Sequence, residues 1–182
     1  MSACGLNRAL VAIFASLLPR VSPCTFVFRP DGLRWRAMKT GWMLIALLGL
    51  AGCATAENWP CFRGPTRQGE SRETGLPLRW NASENVAWKT PIPGDAWSSP
   101  IVWGDRVFLT TATENGASCR VLSLDRRTGA VLWNKEVFRQ TPGHRNNRNS
   151  YATPTPCTDG ERVYAVFGDG SFAALDFGGK IL

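Results

Sequence analysis

The feature that most constrains the fold is an internal repeat in the second half of the chain. Three short patterns recur in the same order, each about 50 residues after its first occurrence. The paired segments are 99–102 with 153–156, 105–108 with 161–164, and 124–132 with 175–182. A unit that returns at this period is typical of repeat architectures, in which each unit packs against its neighbours.

Each repeat consists of short apolar segments separated by turn residues, the pattern of antiparallel β structure. The first repeat predicts four strands, over residues 97–103, 106–112, 119–124 and 130–137. Only 19% of the residues are charged, and 18 Gly and 12 Pro interrupt the chain, so long solvated helices are not expected. A four-stranded unit of about 40–50 residues predicts an all-β fold, a β-propeller of four-stranded antiparallel blades.

The repeat also predicts the domain organisation. We expect a first blade over residues 94–138, an inter-blade loop over 139–150 and a second blade over 151–182. The second repeat stops one residue before the Trp that the first repeat predicts, and two blades do not close a ring of about 4–8. The sequence therefore predicts an incomplete N-terminal fragment of a longer propeller, with a truncated second blade.

An N-terminal segment, residues 53–93, precedes the first blade. Its residues 86–89 resemble residues 131–134, so Trp88 stands where Trp133 stands in a fourth strand. Because no first three strands precede it, we interpret residues 86–91 as an orphan strand that closes the ring. The alternative is an edge strand that caps the first blade.

Residues 38–52 have the features of a signal peptide. Lys39 supplies a positive start, and the apolar run over 42–50 is far shorter than the ~20 residues that span a bilayer. The run ends in a pattern that resembles the bacterial lipobox, which predicts acylation of the terminal cysteine. The lipobox residues are Leu50, Ala51 and Gly52, and the lipidation site is Cys53.

A rival cleavage site of the A-x-A form lies at residues 54–56. Either site predicts an exported protein of the cell envelope or periplasm, and the lipobox adds a lipid anchor through Cys53. Residues 1–37 lack a cleavage signal of their own. We interpret them as an upstream extension from a start codon placed too early, with Met38 as the true start, and set them aside.

Charge and cysteine content exclude several classes of site. The net charge of +7 resides mainly in the leader, so no nucleic-acid partner is expected. After lipidation and removal of the leader, Cys61, Cys119 and Cys157 remain. These three allow one disulfide and leave at least one thiol free. The chain has one His and no C-x-x-C spacing, and no metal site is predicted.

The segment 122–133 (LSLDRRTGAVLW) contains a turn with recognisable chemistry. Asp125 can accept hydrogen bonds from the turn amides, and Thr128 can tie the same turn. Gly129 suits the left-handed conformation that a β-branched residue resists. Trp133 is then predicted to lie flat between adjacent blades, where its ring buries a large area.

This pattern, an apolar strand followed by D-x-x-T-G-x-x-x-W, resembles the repeat of pyrroloquinoline-quinone-like β-propeller proteins. Residues 58–65 and 85–91 resemble the N-terminal segment of exported bacterial members, and the chain is similar to the outer-membrane assembly propeller lipoprotein. The resemblance covers residues 58–182 and implies a propeller whose repeat motif is structural. The motif residues are Asp125, Thr128, Gly129, Trp133, Leu175, Asp176 and Gly179.

The inter-blade loop contains the only His of the chain, His144, together with Arg145 and Arg148. Loops between blades converge at one mouth of a propeller, so these residues are candidates to hold an anionic ligand. The plainer interpretation is a solvated polar loop, and residues 142–143 (Pro-Gly) also fit an ordinary turn.

No catalytic residue and no cofactor site is identifiable in the sequence. We therefore predict a non-catalytic, lipid-anchored scaffold that binds protein or peptide partners in the envelope. The alternative is a periplasmic dehydrogenase that oxidises alcohols or sugars with pyrroloquinoline quinone and calcium. Such enzymes carry adjacent cysteines and a carboxylate–amide calcium site, which this sequence does not display. A carbohydrate-binding module is a weaker alternative.

Overall fold

The computed structural model describes residues 10–13 and 56–182. The predicted signal peptide 38–52, the lipobox residues Leu50, Ala51 and Gly52, and the lipidation site Cys53 lie outside the described residues. So does most of the extension 1–37. The described residues contain no helix with the length and hydropathy that a membrane crossing needs.

The fold is all-β, with antiparallel sheets, as the repeat predicts. Helix is confined, in the described ranges, to one 3-10 turn at Glu114–Gly116. The strands are β1 (Leu10–Ile13), β2 (Trp88–Pro91), β3 (Ile101–Trp103), β4 (Arg106–Thr113), β5 (Ser118–Asp125), β6 (Val131–Arg139), β7 (Cys157–Thr158), β8 (Arg162–Val166) and β9 (Phe172–Asp176).

The first blade is a four-stranded meander in the order β3-β4-β5-β6. A two-residue link joins β3 to β4, with Trp103 opposite Arg106. The β4–β5 turn contains three consecutive residues with positive φ, Glu114, Asn115 and Gly116. A bulky or β-branched residue does not readily adopt this conformation. The register between β5 and β6 shifts at two places, so β6 carries extra residues at bulges.

The second blade contains β7, β8 and β9 in antiparallel order. Beyond β9, Ile181 makes an isolated antiparallel bridge with Leu175 on β9. The blade alternates in burial along β8, where Val163 and Ala165 are fully buried and their neighbours are half-buried or exposed. Because burial alternates with a period of two residues, one face of this sheet packs against the first blade.

The two faces of the first blade are covered by different parts of the chain. Cys119 and Val121 on β5 join the core cluster that the second blade completes. Leu122 and Leu124, which alternate with them, pack against Ile92 of the N-terminal segment. Burial on both faces explains why apolar residues occupy both alternating sets of positions along β5.

The segment 86–91 contains a strand, β2, which pairs antiparallel with β1. The strand β1 was not predicted, because residues 1–37 were interpreted as an upstream extension outside the fold. An isolated apolar run with no counterpart in the repeat gives no signal of the strand that it pairs with. The side chains of Trp88 and Thr90 alternate with exposed neighbours and turn toward the first blade.

The first strand of the first blade is shorter than the sequence indicates, since β3 begins at Ile101 and not at residue 97. Pro100 has no N–H to donate to a ladder, so the strand cannot extend through it. Before it, the Ser98 hydroxyl takes the place of backbone pairing. It accepts from the Thr110 N–H at 3.1 Å and donates to the Thr110 carbonyl at 3.2 Å.

Candidate functional site

Two tryptophans contact the turns of the blades that follow them, in the same manner. The Trp133 indole Nε1–H on β6 donates to the Phe177 carbonyl of the second blade at 2.9 Å. The Trp88 Nε1–H on β2 donates to the Arg126 carbonyl of the first blade at 2.8 Å. In each case the acceptor directly follows the motif aspartate, so each ring joins one β strand to the next blade.

The β5–β6 turn of the first blade is organised by Asp125. Its Oδ1 accepts from the Arg127 N–H at 3.0 Å, from the Thr128 N–H at 2.7 Å and from the Thr128 hydroxyl at 2.8 Å. The hydrogen bonds from the Thr128 hydroxyl and amide lower the pKa of Asp125. Gly129 has φ +73°, and a Cβ there would lie 2.4 Å from the Trp88 ring, so a side chain is excluded.

The turn after β9 is tighter. The Gly179 N–H donates to the Asp176 carbonyl at 3.0 Å, and the Asp176 carboxylate accepts from the Lys180 N–H at 2.9 Å. Gly179 has φ +85°, and a Cβ there would lie 2.9 Å from the Trp133 ring. Leu175, which precedes the aspartate, is fully buried in the core between the blades.

The interface between the blades is apolar and aromatic. The Phe108 ring lies 5.0 Å from that of Phe177 and 6.0 Å from that of Trp133, centroid to centroid. Phe138 meets Phe167 edge to face at 6.2 Å. The motif residue Trp133 therefore lies in an aromatic cluster between the blades, the arrangement of a packing element.

The inter-blade loop forms one wall of a cleft of about 550 Å³, and the β8–β9 turn forms another. It lies at the ends of the strands opposite the Asp125 turn, since β5 begins and β6 ends there. Residues that line it include Gln140, His144, Arg145, Asn149, Tyr151 and Asp169. The lining thus combines a cation, a carboxylate, amides and an aromatic ring.

Arg145 is held in place in this cleft. Its guanidinium donates from Nη1 to the Asn149 carbonyl at 2.5 Å and lies 5.4 Å from the centre of the Tyr151 ring. Its Nη2 is 3.6 Å from Asp95 Oδ2, and its side chain is 38% exposed. The Tyr151 hydroxyl donates to the Gly143 carbonyl at 2.5 Å and fixes the ring beneath the loop.

The structure brings two of the three predicted loop residues together. His144 and Arg145 both line the cleft, whereas Arg148 is not among its lining residues. Asp169, on the opposite wall, accepts from the Ser171 N–H at 2.9 Å and the Ser171 hydroxyl at 2.6 Å. These bonds lower the pKa of Asp169, the hydroxyl bond most, and keep it charged.

The donor set of the cleft does not match a calcium–quinone site. A calcium ion takes about six to eight oxygen ligands, several of them carboxylates. The cleft supplies one carboxylate, Asp169, whose oxygens are already engaged with Ser171. Within residues 56–182, no group of three or more His, Cys, Asp or Glu side chains lies close enough to hold a metal ion.

One family of known proteins matches residues 73–181, the family described as outer membrane protein assembly factor BamB. The chain belongs to this family. The match spans both blades, β2 and the cleft-forming loop. No curated protein matches the chain at the level of significance applied.

Membership in this family accounts for the repeat but names no ligand for the cleft. Sequence reasoning missed Tyr151, Asp169 and Asp95 as cleft and loop partners. A signal for Tyr151 was present, because it occupies the place in the second repeat that Trp97 occupies in the first. Nothing local in the sequence indicates that Asp169 faces Arg145 across the cleft, since that proximity depends on the packing of two blades.

Proposed function

We propose that this protein is a non-catalytic β-propeller protein of the cell envelope that serves as a scaffold for protein partners. The family to which it belongs is described as outer membrane protein assembly factor BamB, and this description supports a role that involves contact with other proteins. The match covers the two blades and the loop between them, so the interaction surface that we propose lies within the matched region.

The observation that carries the proposal is the chemistry of the cleft. Its rim offers the guanidinium of Arg145, the imidazole of His144 and several side-chain amides, above the ring of Tyr151. An extended peptide presents carbonyl oxygens and N–H groups, and such partners are recognised by polar groups that fix register and by rings that supply area. Arg145 favours a partner segment with an acidic side chain.

A photo-reactive amino acid at position 144 of the full chain tests this surface in cells. We expect a cross-linked adduct with an envelope protein, whose yield falls severalfold with Arg145→Ala and stays unchanged with Arg148→Ala. The same photo-reactive residue at position 127, on the Asp125 turn at the other end of the strands, serves as the control and should yield none. An adduct that is insensitive to Arg145→Ala would contradict the proposal.

We further propose that Cys53 is acylated and anchors the protein to a membrane. The support is the lipobox pattern of Leu50, Ala51 and Gly52 before it. Cys53→Ser in the full chain should abolish incorporation of a labelled fatty acid and release the protein from the membrane fraction. Cys61→Ser is the matched control, and its labelling should persist. Unchanged labelling of Cys53→Ser would refute the anchor.

The alternative of a dehydrogenase rests on the resemblance to pyrroloquinoline-quinone-like repeats alone. Titration of the full chain with the quinone and calcium separates it from the scaffold. Tight binding together with dye-linked oxidation of an alcohol would replace the scaffold proposal. A carbohydrate-binding role has one observation in its favour, the exposed ring of Trp97, and a glycan array tests it.

A further inference from the structure

Residues 59 and 60 of the N-terminal segment are hydrogen-bonded to both blades. Trp59 pairs antiparallel with Val102 on β3, with its N–H donating at 2.7 Å and its carbonyl accepting at 2.9 Å. The next residue, Pro60, turns its carbonyl to the other side and accepts from the Thr158 N–H on β7 at 2.9 Å. The segment therefore joins the first strand of one blade to the first strand of the next.

The bond between Pro60 and Thr158 brings two cysteines into neighbouring positions. Cys61 follows Pro60 in the chain, and Cys157 precedes Thr158. One backbone hydrogen bond joins the two segments here, and no β-bridge pairs Cys61 with Cys157. In a regular antiparallel ladder, a bond in this position flanks a pair of opposite residues whose Cα atoms lie about 4.5 Å apart. This separation falls within the range of about 4.4–6.8 Å that disulfides require.

The surroundings of the two thiols agree with their proximity. Cys61 is half-buried and its thiol donates to the Gly64 carbonyl at 3.2 Å, while Cys157 is exposed. Although the residue as a whole is exposed, neighbouring atoms partly desolvate its thiol and raise the pKa of Cys157, and the negative charge of a Cys61 thiolate raises it next. The two groups thus lie within electrostatic reach of each other. Cys119, by contrast, is fully buried between the blades, and burial raises its pKa to about 11.

We propose that Cys61 and Cys157 form an intrachain disulfide that clamps the N-terminal segment to the second blade. This inference is independent of the proposed scaffold role. The chain between the two cysteines contains the whole first blade, so the bond closes a loop of about 100 residues, the class for which the unfolded chain loses most freedom. The blade would then be enclosed by a covalent ring.

Formation of the bond requires a thiol–disulfide oxidant, for which oxidised glutathione serves. A thiolate of the pair attacks one sulfur of the oxidant, forms a mixed disulfide and releases one glutathione thiol. The second cysteine then attacks the protein sulfur of that mixed disulfide and releases the second glutathione. Two protein thiols lose two protons and two electrons, and the oxidant is reduced to two thiols.

Peptide mapping of the full chain tests the pairing directly. The protein is equilibrated in oxidised or reduced glutathione, alkylated, and cut after Arg, Lys and Glu. These cuts place Cys61 in peptide 58–63, Cys119 in 115–120 and Cys157 in 149–161, each without another cysteine. We expect peptides 58–63 and 149–161 to be joined in the oxidised sample, with 115–120 alkylated. Alkylation of both Cys61 and Cys157 in the oxidised sample would overturn the proposal.

Thermal unfolding measures the clamp. Oxidation should raise the midpoint of the natural chain by about 10 °C, given the loop length and the size of the folded region. Cys61→Ser and Cys157→Ser should each abolish this rise, and Cys119→Ser should retain it. A joined peptide without a rise would overturn the claim that the bond holds the segment to the blade.

Discussion

The two blades receive a tryptophan in the same way but present it with different turns. In the first blade the turn needs an aspartate and a threonine, and Asp125 accepts three hydrogen bonds to shape it. In the second blade a shorter turn with two consecutive glycines places the Phe177 carbonyl in the same role. What the contact requires is a carbonyl after the aspartate and a glycine under the ring.

A second difference concerns what covers each ring. Trp133 lies between the two blades and contacts Phe108, which belongs, like Trp133, to the first blade. Trp88 lies on β2 and packs against the smaller cluster of the first blade, which includes Leu122 and Leu124. The two rings therefore make the same kind of hydrogen bond, but Trp133 packs against the larger core cluster and Trp88 against the smaller one. Substitutions at the two positions measure how much of the stabilisation comes from the bond and how much from the packing.

The largest effect is expected from removal of Trp133. Trp133→Ala deletes a large ring at the blade interface and should lower the free energy of unfolding by about 3–5 kcal/mol. Trp88→Ala should cost about half as much, because its ring covers the smaller cluster. Trp133→Phe keeps much of the area and should cost about 1 kcal/mol for the lost hydrogen bond. Urea unfolding measures all three, and equal losses for both alanine variants would contradict the difference in depth.

Next in size is the glycine beneath each ring. Gly129→Ala should lower the free energy of unfolding by about 3 kcal/mol, since positive φ and a clash with Trp88 act together. Gly179→Ala should cost about 1–2 kcal/mol, because its Cβ would lie 0.5 Å farther from the ring, at 2.9 Å against 2.4 Å. Gly104→Ala is the control for positive φ without a clash, because Gly104 has φ +54° and no atom lies within 4 Å of a Cβ there.

A smaller and opposite effect is expected at Ser123. Its hydroxyl is buried and has no hydrogen-bond partner in the described structure, whereas the second blade has Ala174 at the equivalent position. Ser123→Ala should raise the free energy of unfolding by about 1 kcal/mol, because an unpaired buried hydroxyl is removed at little cost in volume. A loss of stability in urea unfolding would show that the hydroxyl has a partner in solution.

The smallest effect on stability is expected in the turn that joins the first two strands of each blade. The second blade uses a longer turn, in which Asp159 accepts from the Tyr164 hydroxyl at 2.7 Å and from two backbone N–H groups. These bonds lower the pKa of Asp159 to about 2, with the Tyr164 hydroxyl contributing most. Since the folded value lies below the ordinary value of about 3.9, the stabilisation is present above pH 4 and is lost as the pH falls through 2.

Carboxylate NMR titration measures this shift. Tyr164→Phe should raise the pKa of Asp159 toward its ordinary value and leave that of Asp125, in the first blade, unchanged. A pKa of Asp159 that does not respond to Tyr164→Phe would assign the shift to the backbone bonds instead.

Local residue patterns were enough to predict the class of fold and the site of each motif turn. The period of two in the strands, the glycines at positive φ and the repeated aspartates are properties of short segments, so they can be recognised without a structure. The predicted length of β3 was wrong because the strand was drawn through Pro100, a residue that cannot donate to a ladder. The bond that replaces the pairing there, between Ser98 and Thr110, joins two distant residues, and no local pattern indicates it.

The cleft shows the same limit. His144 and Arg145 could be singled out because the only His of the chain and a neighbouring Arg lie in the polar loop between the two repeats. Asp169 could not, because its place opposite them depends on how the second blade packs on the first. The pairing of β1 with β2 also lay beyond the sequence, since register between distant strands is fixed by which faces are buried.

The amino-acid sequence by itself determined an all-β repeat, its turns and the aromatic side chains that join one unit to the next, because these depend on neighbours within a few residues. The tertiary structure alone decided which carbonyl each tryptophan meets, which loop residues share a cleft, and which strands the N-terminal segment bonds to. Those pairings join residues far apart in the chain, and they arise only when burial of apolar faces brings the two blades and the N-terminal segment together.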